Sequence, residues 1–172
     1  MRYVVLLRGI NVGGHHSLPM KDLREILQSL GYEGVRTYIQ SGNVVLTAGS
    51  PPDGTAISAA VEERFGFSPR VLVIPGPVFE AVAEGNPYED DVSDPKHLHI
   101  SFLAGPASPD LDAMKARQGP NERYTLTADA LYLHAPEGIG RSKFAADAER
   151  LLGVEATGRN LNTVRRIAEM LR

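Results

Sequence analysis

Four polar blocks are the parts of this chain that could do chemistry. They are Arg8-Gly9-Ile10-Asn11-Val12-Gly13-Gly14, Gln40-Ser41-Gly42-Asn43, Gly140-Arg141-Ser142-Lys143 and Thr157-Gly158-Arg159-Asn160-Leu161-Asn162-Thr163. Guanidinium groups match phosphate or carboxylate through paired hydrogen bonds, and side-chain amides read hydrogen-bond patterns. Glycine-rich backbone before a helix can offer N–H groups to an anion. The chemistry on offer is recognition of a small anion, such as a nucleotide or a phosphorylated metabolite. The candidate ligand residues fall in two clusters. One is Arg8, Asn11, Gly13, Gly14, Gln40, Ser41 and Asn43; the other is Arg141, Ser142, Lys143, Arg159, Asn160 and Asn162.

Each block also has a plainer reading. Gly9 and Gly14 have the glycine spacing of a phosphate-binding P-loop, but His15 and His16 stand where Lys and Ser or Thr should follow. No G-x-G-x-x-G fingerprint occurs, so no dinucleotide cofactor is expected. A turn that needs positive φ accounts for the same glycines. Arg141, Lys143 and Arg159 stand at expected helix starts, where a cation opposes the helix dipole by about 0.3–1 kcal/mol. An anion held between cation and helix end would explain them, and so would side chains turned to water. Thr157 and Asn160 are ordinary helix N-cap candidates. His97 and His99 at i, i+2, and His15 with His16, lack a carboxylate at metal-site spacing, and no metal is expected. Ser142 and Lys143 are adjacent, and such pairs at a helix start diverge, which disfavours a Ser–Lys nucleophile. Catalytic residues are therefore left unassigned, and enzyme activity stays open.

The elements that must position these residues follow from hydrophobic period. Residues 2–8 read as a strand, residues 18–30 as an amphipathic helix ended by Gly31, and residues 35–40 and 44–47 as a hairpin. A helix through Ile57 and Val61 and a strand at 71–74 complete a β-α-β-β-α-β order. Residues 85–96 are turn-rich and acidic, and read as a linker. The order then repeats. It runs through strand 97–103, helix 111–117, hairpin arms 122–127 and 130–134, and a helix from Phe144 to Leu152. A short strand at 154–156 and a closing helix from Leu161 to Leu171 follow. The expected fold is α+β: two consecutive ferredoxin-like halves with antiparallel sheets plus a C-terminal helix. Residues 1–84 form the first half and residues 97–172 the second. In each half the loops carrying a polar block should share one end of the sheet. Packed with those ends together, the two clusters would make one inter-domain cleft.

Composition sets outer bounds. The chain has 172 residues, a formal net charge of −3 and no cysteine, which excludes disulfides, thiolate metal sites and cysteine nucleophiles. No apolar run approaches the roughly 18 residues that cross a bilayer. The N-terminal apolar stretch is too short for a signal peptide. A cytoplasmic protein without membrane partners is expected, its oligomeric state left open. A pI of about 5.9 argues against non-specific nucleic-acid binding. A βαββαβ half is also the frame of RNA-recognition motifs, which stack bases on aromatic residues of central strands. Val44-Val45-Leu46-Thr47 carries none, so nucleic acid is disfavoured without being excluded. A third reading makes the asparagines and arginines purely architectural.

Together the four blocks, with Thr37-Tyr38-Ile39 leading into the second, resemble the bacterial family known as domain of unknown function 1697. Where that family often has an aromatic residue between the two asparagines of the last block, this chain has Leu161. The resemblance implies a two-part α+β fold and carries no activity or catalytic roles.

Overall fold

The computed structural model describes residues 1–172. In chain order the elements of the first half are β1 (Arg2–Arg8), α1 (Met20–Ser29), β2 (Glu33–Tyr38), β3 (Asn43–Thr47), α2 (Gly54–Phe65) and β4 (Arg70–Pro75). After α3 (Gly76–Glu84) come β5 (Leu98–Leu103), α4 (Leu111–Arg117), β6 (Arg123–Leu126), β7 (Ala130–His134), α5 (Lys143–Ala146), α6 (Ala148–Leu152), β8 (Ala156–Asn160) and α7 (Leu161–Met170). The strands form two four-stranded antiparallel sheets, ordered β2-β3-β1-β4 and β6-β7-β5-β8. This is the expected α+β fold with two similar halves and a C-terminal helix.

The first sheet is built outward from β1. Val4, Val5, Leu6 and Leu7 are all fully buried, so both faces of this strand are covered, as a central strand requires. On one face Val5 and Leu7 meet Leu23, Ile26 and Leu27 of α1 and Ile57 and Val61 of α2. Those helical positions recur at spacings of three and four, which places them on one stripe. Asp53 caps α2 by accepting from the backbone N–H of Thr55 and Ala56, and Gly66 ends it in the left-handed region.

The second sheet has a smaller helical cover. Leu131 and Leu133 of β7 pack with Met114 of α4, Phe144 of α5, and Leu151 and Leu152 of α6. The helix expected over 144–152 is two short helices broken at Asp147, whose backbone leaves the helical region. The Asp147 carboxylate there accepts from Arg117 and Arg150, both at 3.2 Å.

The last strand is a correction. It spans Ala156–Asn160, not residues 154–156. Gly158 and Asn160 are poor strand formers, and pairing with β5 decides the matter, from Leu103↔Ala156 to His99↔Asn160. Thr157 and Arg159 consequently lie on a strand rather than in a helix start. The chain also divides by compactness into Met1–Glu80 with Arg166–Arg172, and Ala81–Arg165. Residues 85–96 belong to the second of these units. Tyr88 is buried there, and its hydroxyl bonds Thr125 Oγ1 at 2.7 Å. The C-terminal end belongs to the first unit, where Arg2 and Arg36 donate to the terminal carbonyls of α7 at Leu171 and Met170. Cations at a helix C-terminus match both the free carbonyls and the dipole.

Candidate functional site

In the first unit the loop after β1 and the β2–β3 hairpin converge, as the topology requires. The Asn11 amide joins them. Its Nδ2 donates to Gln40 O at 2.7 Å and Leu18 O at 2.9 Å, and its Oδ1 accepts from Leu18 N at 2.7 Å. Asn43 is fully buried, and its Nδ2 donates to Tyr38 O and Ser41 Oγ across the hairpin turn. Gly42 sits at φ 87°, and a Cβ there would lie 2.7 Å from Leu7 Cβ. Only glycine fits.

The glycine loop is itself a tight hairpin. His15 N donates to Val12 O at 2.9 Å, with Gly13 and Gly14 both at positive φ between them. Two positive-φ residues in a two-residue connection make a type I′ turn, for which Gly-Gly is suited. His16 bonds Gly9 O through Nδ1 and stacks on Phe67 with ring centroids 4.6 Å apart. Arg8 ends β1 directly opposite Arg70 of β4. In this unit the Asn11 and Asn43 amides and the Gly13-Gly14 turn, read as ligand groups in the sequence, hold backbone in place.

In the second unit the expected cluster divides. Asn160 Oδ1 accepts from Thr163 N at 3.0 Å, the bond of a helix N-cap. Asn162 is exposed on the first turn of α7, and Arg159 Nη1 donates to Gly158 O. Ser142 is buried and caps α5, its Oγ accepting from Ala145 N at 3.0 Å. Arg141 and Lys143 flank that cap and are exposed. They line a cavity of about 340 Å³ whose other walls include Arg117, Gln118, Asn121, Glu122 and Glu137. Arg159, Asn160 and Asn162 do not line it.

The second wall was invisible to motif reading. It is the connection from α4 to β6, which runs antiparallel to β7, so the end of β7 and the start of β6 lie together. That topology was the available signal. The wall is rigidly built: Gly119 N donates to Glu122 Oε1 at 2.7 Å, and Gln118 Nε2 donates to Glu122 O at 2.6 Å. Asn121 Nδ2 donates to Glu137 Oε1 at 2.8 Å, tying the two walls together. Arg117 is held by Asp147. Arg141 and Lys143 make no ion pair or side-chain hydrogen bond, whereas most arginines here are held, as Arg64 is by Asp22 and Arg165 by Glu89.

The histidines serve other purposes. His97 ends a 3-10 turn and lies 3.7 Å from Asp94, while His99 is on β5, so the two do not share a strand face. Burial pulls the His99 imidazole below its ordinary range. His134 is buried too, and is pulled down by that burial and then by the nearby charges of Arg123 and His97. Arg123 also lies over the Tyr88 ring at 5.0 Å and pairs with Asp91 at 3.5 Å. The Arg165 hydrogen bond holds the Glu89 carboxyl below its ordinary range.

No helix is long and apolar enough to cross a membrane. No curated protein matches the chain significantly. Among solved structures, a conserved bacterial protein, SP0830 from Streptococcus pneumoniae, is similar over 99% of this chain and 98% of its own. Its TM-score is 0.72 at 24% identity, a likeness of fold. The sequence profile of one family matches residues 1–132, which include one wall of the cavity but not Arg141 or Lys143. The chain thus belongs to the family described as Protein of unknown function (DUF1697).

Proposed function

We propose that the protein binds a small anionic ligand, a phosphorylated metabolite, in the cavity of its second unit. One observation carries this reading: Arg141 and Lys143 stand together on a cavity wall with no carboxylate paired to either. Cations without an ion-pair partner remain available to an anion that enters, and their pull weakens as salt rises. The volume, about 340 Å³, suits a compact ligand. Arg141 would meet a phosphate as a two-point fork and Lys143 as a mobile point charge. Arg117 on the opposite wall is held by Asp147, which offsets its charge, so Arg141 and Lys143 carry the anion contact. The neutral Ser142 cap brings no competing charge.

The test is calorimetric titration of the full chain with inorganic phosphate, repeated on Arg141→Ala and Lys143→Ala. Binding that both substitutions weaken about tenfold or more, with affinity falling as salt rises, is the expected result. Binding of equal strength in all three proteins would move the site elsewhere.

A further inference from the structure

The cavity holds negative as well as positive groups. Glu122 and Glu137 line it beside Arg141 and Lys143, and neither carboxylate pairs with either cation. Each has Oε1 occupied by a neutral donor, the Gly119 N–H for Glu122 and the Asn121 amide for Glu137. A neutral donor orients a carboxylate without cancelling its charge, so both remain anionic acceptors. Arg117 is offset by Asp147. Two cations and two carboxylates, none of them in an ion pair, therefore line one cavity of about 340 Å³.

A purely anionic ligand fits such a lining poorly, since it brings further negative charge into a cavity that Glu122 and Glu137 also line. A neutral ligand leaves all four charges without partners. A ligand with both signs satisfies the cavity. Extending the anion-binding reading above, on which it rests, we propose that the ligand is a zwitterion. It joins a phosphate to a primary amine by a short linker. The phosphate lies on Arg141 and Lys143, and the ammonium on Glu137 and Glu122. Both contacts are charge-assisted hydrogen bonds, the strong class. The carboxylates also supply specificity, because they repel a second phosphate and reject polyanions such as nucleoside triphosphates.

Three probes separate this inference from the reading beneath it: phosphoethanolamine, 2-hydroxyethyl phosphate and inorganic phosphate. The first two have nearly the same shape, with ammonium replaced by hydroxyl. Titrations of the full chain are expected to show phosphoethanolamine binding about tenfold tighter than 2-hydroxyethyl phosphate. Glu137→Gln keeps an acceptor for Asn121 while removing the charge, and it should erase most of that preference without weakening 2-hydroxyethyl phosphate. Glu122→Gln should act in the same direction. Arg141→Ala should weaken both organic phosphates together. Equal affinity of the two in the wild type, or a preference that survives both glutamine substitutions, overturns the zwitterion and leaves anion binding standing. If none of the three phosphates binds, the anion-binding reading itself falls.

Discussion

The two sheets share one strand order, and the same corner of each can be compared directly. In the first unit that corner is where the α1–β2 connection meets the β3–α2 connection. There the Tyr32 hydroxyl accepts from Asp53 N at 3.1 Å, Asp53 caps α2 with an acidic group, and the recess beside it, lined by Pro52, Gly54 and Thr55, has no charged residue in its lining. Neither connection carries a cation. In the second unit the α4–β6 connection meets the β7–α5 connection, and the cavity there is lined by charged residues. The cap there is neutral Ser142, with Arg141 and Lys143 on either side. An acidic cap suits the positive end of a helix, and flanking cations do not. The first corner therefore has the sequence of a well-made helix start. The second gives up that electrostatic fit and gains a charged recess. Where one topology is used twice, the copy that departs from good local design marks the better candidate for function.

The comparison breaks most visibly through the core beneath the charged corner. Phe144 is fully buried and stacks on Tyr124 with ring centroids 4.9 Å apart. Phe144→Ala should cost about 3–5 kcal/mol in denaturant unfolding and release α5 together with Lys143. A cost below about 1 kcal/mol would mean that α5 is not anchored as described. Asn43→Ala comes next, with an expected loss of about 1–3 kcal/mol as buried turn groups lose their partner. Phosphate binding in the second unit should survive it.

A smaller effect concerns acid. His99 and His134 both belong to the second unit, and both are held below the ordinary imidazole range, chiefly by burial. The unfolded chain titrates near pH 6.5 and takes up protons that the native imidazoles refuse. Stability is thus full above about pH 6.5 and falls as pH drops below it through the folded values. The urea midpoint should decline between pH 7.5 and 5.5, and His99→Gln with His134→Gln should flatten the decline. An unchanged slope in the double variant would assign the acid sensitivity to other groups.

The polar blocks themselves were legible in the sequence, but their roles were not. Hydrophobic period was enough for β1 and α1, because Val5, Leu7, Leu23 and Leu27 report one shared core. It placed β8 too early, at residues 154–156, because pairing with β5 overrides the weak propensities of Gly158 and Asn160. The convergence of Asn11 with the Gln40 turn followed from topology, yet only the bonds show that the Asn11 amide is occupied by Leu18 and Gln40. A side-chain amide that binds a ligand and one that closes a loop look alike in sequence. Arg141 and Lys143 stood out because cations are misplaced at a helix start. Glu122 and Glu137 carried no such signal, since an acidic residue in an exposed connection is ordinary.

The central claim is that the first polar cluster is architecture and that Arg141 and Lys143 of the second form a binding site. Asn11→Ala and Arg141→Ala, measured in parallel for urea stability and for phosphate affinity, test it most directly. Asn11→Ala should lose about 1–3 kcal/mol of stability and keep its phosphate affinity. Arg141→Ala, exposed and without partners, should stay within about 0.5 kcal/mol of the wild type and lose affinity about tenfold or more. The reverse pattern, with phosphate lost in Asn11→Ala and retained in Arg141→Ala, would contradict the account.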